Sequence, residues 1–262
     1  MRDVAVGYLY LYCIFRTELK YICDMFNSGI LLPIIIISGI VYSILAKKLT
    51  IFAAFTGAIL AYLIFTASGY TGIAMMTTFF ILGSAATSWQ RHKKQAFAGV
   101  EEIRKGRNAM QVLANAGVPA LAGLLTICYP QLASFMLPAM AGAFASATAD
   151  TLSSELGILY GRQFFNIITF KRDQCGLDGV ISLEGTLIGV AGSCIIAIVY
   201  ILGFGWNTNF FIIILAGIVG NAVDSILGAV LERKGILGNN AVNFLNTLIA
   251  ALVVLIYKSF LN

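Results

Sequence analysis

Residues 50–88 read TIFAAFTGAILAYLIFTASGYTGIAMMTTFFILGSAATS and contain no charged side chain. A helix needs about 20 apolar residues to cross the hydrocarbon core of a bilayer, so this stretch is long enough for two crossings. The pair Ser68-Gly69 divides it into two apolar halves, residues 50–67 and 70–88. The pattern therefore predicts two membrane-spanning helices joined by a very short turn.

The rest of the chain has the same apolar character. Of its 262 residues, 59% are hydrophobic and only 11% are charged, and the mean hydropathy is +0.89. A soluble domain is about 45–50% apolar and about 25% charged, so the composition excludes a disordered chain and disfavours a soluble enzyme. We predict an all-α polytopic transmembrane helical bundle of about seven to eight spans with no soluble domain. The predicted spans are residues 29–46, 50–67, 70–88, 108–128, 131–157, 184–204, 209–231 and 241–258.

The N-terminal segment is predicted to stand apart from this bundle. Residues 1–27 contain only one apolar piece, Val4–Phe15, which is too short to span a bilayer. We expect this segment to be interfacial or loosely ordered, and residues 28–262 to form a single transmembrane domain.

The remaining motifs exclude several kinds of site. The five cysteines are scattered without a CxxC pair, which argues against a disulfide framework or a thiolate metal site. His92 is the only histidine and lies in a basic run, so a histidine-rich zinc site is excluded and a solvated position is expected. No P-loop or dinucleotide fingerprint is present. The net charge of +5 is interpreted as a topology signal rather than as a nucleic-acid surface.

Basic residues alternate along the connections between spans. They occur in residues 47–49, 89–107, 158–183 and 232–240, whereas connections 68–69, 129–130 and 205–208 carry no charge. Basic loops stay in the cytoplasm. We therefore predict a multi-pass integral membrane protein, of the inner membrane if bacterial, with these four connections in the cytoplasm.

Three carboxylates lie where a membrane span disfavours charge. Asp150 and Glu155 fall near the end of one span, Asp224 falls near the end of another, and neither span supplies a basic partner. Such residues are costly in a bilayer and are commonly functional. Because hard oxygen ligands suit Mg²⁺, we interpret the three as catalytic, magnesium-binding residues. The alternative is a polar contact between packed helices.

Other polar residues fall at the same predicted cytoplasmic end. Gln111 and Asn115 share one helix face, and a polar stripe opens the last span. Gly176 and Gly179 bracket a loop that precedes the predicted span 184–204. The backbone amides of this loop could bind phosphate, and the alternative is that it is a simple turn. We infer one polar cavity with a basic rim. The candidate substrate- and nucleotide-binding residues are Lys105, Arg107, Asn108, Gln111, Asn115, Ser154, Asp178, Gly179, Ser182, Thr186, Ser225, Asn239 and Asn243.

Small residues at 141–143 and 145–147 lie just before Asp150 in the predicted span 131–157. They have two interpretations, which are a lateral cleft for a lipid chain and tight packing between helices.

These segments together resemble a known family. The matching motifs are FFILGS at 79–84 with Thr87, RNAMQVLANAG at 107–117, ADTLSSELG at 149–157, DGVISLEGT at 178–186 and GNAVDSILGA at 220–229. The chain resembles, over residues 30–258, the integral membrane family that includes human transmembrane protein nineteen and the plant plastid phytyl-phosphate kinase. Ala116 and Ser153 depart from the family pattern without changing its polar positions.

The resemblance implies transfer of a nucleotide γ-phosphate to a prenyl monophosphate such as phytyl or geranylgeranyl phosphate. Related membrane kinases and cytidylyltransferases suggest CTP as the donor, and the expected partners are this lipid-soluble phosphate, the nucleotide and membrane lipid. Phosphoryl transfer needs positioning and charge neutralisation rather than a covalent nucleophile. An ion-coupled transporter using the same carboxylates, and a flippase or scaffold for lipid assembly, remain alternatives.

Overall fold

The structure is a computed structural model that describes residues 29–94 and 106–260. Within these ranges the helices are α1 Leu31–Leu45, α2 Ile51–Ser88, α3 Arg91–Lys94, α4 Ala109–Cys128, α5 Ala133–Tyr160, α6 Leu183–Phe204, α7 Asn209–Leu227 and α8 Asn239–Ser259. A 3-10 turn, Pro130–Leu132, precedes α5, and a π-helical turn, Gly228–Glu232, continues α7. Two short strands, β1 Phe165–Asn166 and β2 Val180–Ile181, pair antiparallel between α5 and α6.

The predicted membrane architecture is confirmed. Six of the described helical segments are long and apolar enough to cross a bilayer. The chain is a helical bundle, and within residues 29–94 and 106–260 only four residues lie in strands. Helix α1 is the exception among the predicted spans, because its 15 residues extend only about 22 Å. That length is shorter than the roughly 30 Å hydrocarbon core.

Helix α2 contains the two predicted spans as a helical hairpin. A straight helix of its 38 residues would be about 57 Å long. Lys48, just before the helix, nevertheless donates a hydrogen bond from Nζ to Oγ of Ser88 at its far end. The chain reverses at Gly69, whose φ of 62° and ψ of −151° are accessible essentially only to glycine. The break predicted at residues 68–69 is therefore confirmed.

The connections between helices separate into two ends of the bundle. At one end, which we call the basic end, the backbone of Arg107 forms hydrogen bonds with the backbones of Lys48 and Thr50. At the same end, Trp89 Nε1 donates a hydrogen bond to the Tyr160 hydroxyl. The opposite end carries the turn at Gly69 and the connections 129–132 and 205–208. This separation matches the alternation of basic and uncharged connections in the sequence.

Helix α5 forms the centre of the bundle, and it is buried over most of its length. A Cβ on Gly142 would lie 2.8 Å from Cγ2 of Val254 and 3.3 Å from Cβ of Ala216. Ala143 and Ala147 are fully buried among apolar side chains. The small residues of this helix therefore provide tight helix packing, and the structure does not support their interpretation as a lateral lipid cleft.

Candidate functional site

Two aspartates from different helices meet near the basic end. The carboxyl groups of Asp150 on α5 and Asp224 on α7 lie within hydrogen-bonding contact of each other. Asp150 is 7% exposed, and its Oδ1 accepts a hydrogen bond from Ser154 Oγ at 3.4 Å. Adjacent buried carboxylates repel when both are ionised, so this pair requires a proton or a cation between its oxygens. We call it the aspartate pair.

Asparagines and serines hold the aspartate pair in place. Asn246 on α8 donates from Nδ2 to Oδ1 of Asp224 at 2.7 Å, and its own Oδ1 accepts from Ser146 Oγ at 3.1 Å. Ser153 Oγ, on α5, also donates to Oδ1 of Asn221 on α7 at 2.9 Å and so connects the two helices that carry the aspartates. Three helices thereby fix the pair through hydrogen-bonded side chains. The support from Ser146 and Ser153 was not anticipated from the sequence.

Glu155 does not join the aspartate pair. Its Oε2 accepts from Lys94 Nζ at 2.5 Å, and the same ammonium donates to the carbonyl oxygens of Ala86 and Thr87. Lys94 is 6% exposed, although the sequence places it in a basic run; its neighbour His92 is exposed, as expected. The predicted three-carboxylate set is thus divided, because a cation from another segment neutralises Glu155. Across residues 29–94 and 106–260, no three His, Cys, Asp or Glu side chains are grouped to hold a metal ion.

Arg107 lies between α2 and α5 at the basic end. Its Nη2 is 3.5 Å from Thr87 Oγ1, and its guanidinium carbon is 5.8 Å from the ring centre of Phe79. Gly83 leaves room for this guanidinium, since a Cβ there would lie 3.1 Å from Nη2. Burial lowers the pKa of Arg107, and the charges of Glu155 and Asp150 oppose that shift. Arg107 therefore lies close enough to Glu155 and Asp150 for their charges to stabilise its guanidinium.

Several predicted binding residues cap helices instead. Asn108 and Gln111 form a reciprocal capping box at the start of α4, with bonds of 3.0 and 2.9 Å. Ser182 caps α6 by accepting from Gly185 N, and Thr186 Oγ1 donates to the Ser182 carbonyl. These contacts satisfy backbone groups that helix ends leave unpaired. The four side chains have structural roles even without a ligand.

The connection 161–182 folds back onto the end of α7. Arg233 donates from Nε to the Asp178 carbonyl at 2.5 Å and pairs through Nη2 with Oδ2 of Asp173 at 2.9 Å. Gly179 has φ of 71°, and a Cβ there would lie 2.3 Å from Cβ of Ala229. Burial raises the pKa of Asp178, and Arg233 opposes that shift. Asp178 and Gly179 thus lie beside the helix that carries Asp224.

The last predicted residues have mixed environments. Ser225 Oγ donates to the Asn221 carbonyl at 3.3 Å, and Asn239 is exposed at the first position of α8. Asn115 and Asn243 each keep a buried Oδ1 without a hydrogen-bond partner in the described part of the chain. Lys105 lies outside the described residues.

Comparison with known proteins finds relatives that match about three quarters of the chain. An uncharacterized membrane protein of Methanocaldococcus jannaschii is 36% identical over 76% of this chain and 82% of its own length. The chloroplast protein VTE6 of Arabidopsis thaliana is 32% identical over 78% of this chain, and the match spans 63% of VTE6. An uncharacterized membrane protein of Synechocystis is 33% identical over 74% of this chain and 77% of its own length.

No solved structure matches the chain. The family model described as integral membrane protein DUF92 matches residues 34–251, a range that contains the aspartate pair, Arg107 and the connection 161–182. The chain therefore belongs to the integral membrane protein family DUF92.

Proposed function

We propose that this protein is a membrane-embedded kinase that transfers the γ-phosphate of a nucleoside triphosphate, CTP, to a prenyl monophosphate. The acceptor class is phytyl or geranylgeranyl phosphate, and the product is the diphosphate. The observation that carries the proposal is the aspartate pair, set within membrane-spanning helices, with Arg107 placed between α2 and α5 toward the same end. The resemblance of the sequence motifs to the family of the plant plastid phytyl-phosphate kinase supports the acceptor class, and so does the 32% identity with the chloroplast protein VTE6.

The aspartate pair suits Mg²⁺ bound to donor phosphates. Magnesium in nucleotide sites is usually held by one or two carboxylates, and phosphates and water complete its six oxygen ligands. Asp150 and Asp224 provide two carboxylates in contact, and a divalent cation would take the place of a proton between their oxygens. When bound, the ion would neutralise charge on the β- and γ-phosphates.

The protein's own residues would bind and orient the two phosphates. Arg107 can donate to phosphate oxygens through its planar guanidinium, which is anchored by Thr87 and Phe79. An oxygen of the acceptor monophosphate attacks the γ-phosphorus, the bond to the β–γ bridging oxygen breaks, and the nucleoside diphosphate leaves. The attacking oxygen is already anionic near neutral pH, so no general base is required.

The location of the site suits a substrate with a lipid tail and a charged head. The aspartate pair and Arg107 lie toward the basic end, where the connection 161–182 covers α7. In the proposed orientation this end faces the cytoplasm, because basic connections are retained there. A soluble nucleotide can then reach the site from the cytoplasm while the prenyl tail stays in the bilayer.

The direct test is an assay of the purified full chain in detergent. The protein would be given γ-labelled CTP, Mg²⁺ and phytyl or geranylgeranyl phosphate, and the lipid product would be separated. Label in a prenyl diphosphate supports the proposal. No label in lipid with CTP, ATP, GTP or UTP would contradict it. Ion-dependent solute uptake by sealed vesicles that contain the protein, without phosphoryl transfer, would instead support the alternative that the protein is an ion-coupled transporter.

A further inference from the structure

Two buried amide oxygens near the aspartate pair have no hydrogen-bond donor within the described ranges. They are Oδ1 of Asn115 on α4 and Oδ1 of Asn243 on α8. By contrast, Oδ1 of Asn221 and Asn246 each accept from a serine hydroxyl. Burying an acceptor without a partner is unfavourable, and a bound ion is one of the partners that can satisfy such an oxygen in a native protein.

Helix packing places Asn243 at the level of Asp150. Helices α5 and α8 run antiparallel, with Gly142 beside Val254 and Ser146 bonded to Asn246. One further turn toward the basic end on each helix leads to Asp150 on α5 and to Asn243 on α8. Asn243 also lies one turn before Thr247, which contacts the Ala114 carbonyl on α4.

Asn115 approaches the same place from α4. Helix α4 is antiparallel to α5, and a Cβ on Gly123 would lie 3.4 Å from Cε of Met140. Two turns toward the basic end bring Asn115 to within one turn of Asp150. Its side chain is directed toward that end, because Nδ2 donates to the Gln111 carbonyl at 2.9 Å. Asn115 is only 8% exposed.

The aspartate pair needs additional oxygens to hold a cation. Oδ1 of Asp150 accepts from Ser154, Oδ1 of Asp224 accepts from Asn246, and no third acidic side chain among the described residues is grouped with them for a metal. Neutral amide oxygens are suitable ligands for hard divalent cations. We infer that Asn115 and Asn243 supply side-chain oxygens to a divalent cation held by Asp150 and Asp224. This inference rests on the proposed function and names two further cation ligands.

The test measures Mn²⁺ binding to the purified full chain in detergent without nucleotide, by the paramagnetic resonance signal of free Mn²⁺. Asn115→Leu and Asn243→Leu should each weaken binding on the order of tenfold or more. Asn115→Asp and Asn243→Asp should bind at least as tightly as wild type, because they keep a hard oxygen. The matched control is Asn209→Leu, since Asn209 also has a buried, unpartnered Oδ1 but starts α7 at the opposite end.

The outcomes separate this inference from the proposed site. Wild-type affinity in both leucine variants, with binding lost in Asp150→Asn and Asp224→Asn, would overturn the role of the asparagines and leave the aspartate pair intact. Leucine variants that bind nucleotide more weakly but keep the wild-type affinity for Mn²⁺ would also overturn the role of the asparagines. Absence of Mn²⁺ binding in wild type would contradict the inference and the proposed cation site together. If one leucine variant fails to fold, the Mn²⁺ affinities of the other leucine variant and of Asn115→Asp and Asn243→Asp decide whether the asparagines bind the cation.

Discussion

At the residue scale, the surroundings of a charge decide its role more than its position along a span. Asp150 and Asp224 could be selected from the sequence because no basic residue lies in their own spans. Glu155 satisfies the same criterion, but its partner Lys94 comes from another segment, 61 residues away. Sequence periodicity does not show that contact. The caps at Asn108, Gln111 and Ser182 could have been recognised, because a polar N-cap residue is a local signal.

Arg107 provides a prediction at this scale. Arg107→Lys removes the planar donor pair, so KM for a phosphate substrate should rise on the order of tenfold. Gly83→Ala should raise the same KM by a smaller factor than Arg107→Lys does, because the Cβ of the new alanine would displace the guanidinium. The control is Gly57→Ala in the other half of α2, where a Cβ meets only Val112 Cγ1 at 3.9 Å. Unchanged KM for both substrates in Arg107→Lys would show that the arginine is only a topology signal.

The pair of Asp173 and Arg233 predicts a dependence of stability on pH. The backbone N–H of Gln174 and then Arg233 lower the pKa of Asp173 below its ordinary value of about 3.9. The stabilisation is therefore present above the unfolded pKa and is lost as pH falls through the lower, folded pKa. Asp173→Asn should unfold more readily than wild type at pH 6, and the difference should shrink below about pH 4. Melting curves across this range would check it, and an unchanging difference would contradict it.

At the element scale, hydropathy was sufficient to predict the helices but not their packing. The two halves of α2, and α4 to α8, all follow predicted spans within a few residues. The π-helical turn after Leu227 was not predicted, because local sequence gives no signal for the fifth-residue hydrogen bond from Arg233 to Gly228. The short strand pair was missed for a similar reason, since its two-residue strands are too short to show alternation.

The turn at Gly69 gives the prediction for this scale. Gly69→Ala places a Cβ in a conformation that glycine alone tolerates, so unfolding free energy should fall by about 1–3 kcal/mol. Gly39→Ala is the matched control, because Gly39 lies within α1 and a Cβ there meets no atom within 4 Å. Alanine favours a helix by up to about 1 kcal/mol over glycine, so that control should be neutral or stabilising. Thermal unfolding in detergent measures both, and equal effects would contradict the hairpin.

At the scale of the whole molecule, the alternation of basic connections predicted which segments gather at one end. The structure confirms that grouping through contacts among Lys48, Ser88 and Arg107, and between Asp178 and Arg233. The meeting of α5, α7 and α8 around the aspartate pair could be predicted only coarsely. Its details depend on which helices are neighbours, and one sequence does not contain that information.

Membrane orientation is testable with native cysteines. Cys128 is exposed at the end of α4, and Cys175 is half-buried in the connection 161–182 at the basic end. In variants that keep one cysteine, an impermeant maleimide should label Cys128 on intact cells and Cys175 only in inverted vesicles. Labelling of Cys175 should be slow, because burial raises the pKa of its thiol. The reverse pattern would place the basic end outside the cytoplasm.

The most direct test of the central claim is Mg²⁺-dependent transfer of labelled γ-phosphate to phytyl phosphate by wild type, Asp150→Asn, Asp224→Asn and the double variant. We predict that each single variant folds, as judged by its melting curve, and loses nearly all turnover. The double variant should lose little more, because residues that act as one unit are not additive. Turnover near the wild-type rate in both folded single variants would show that the aspartate pair is not the site of phosphoryl transfer.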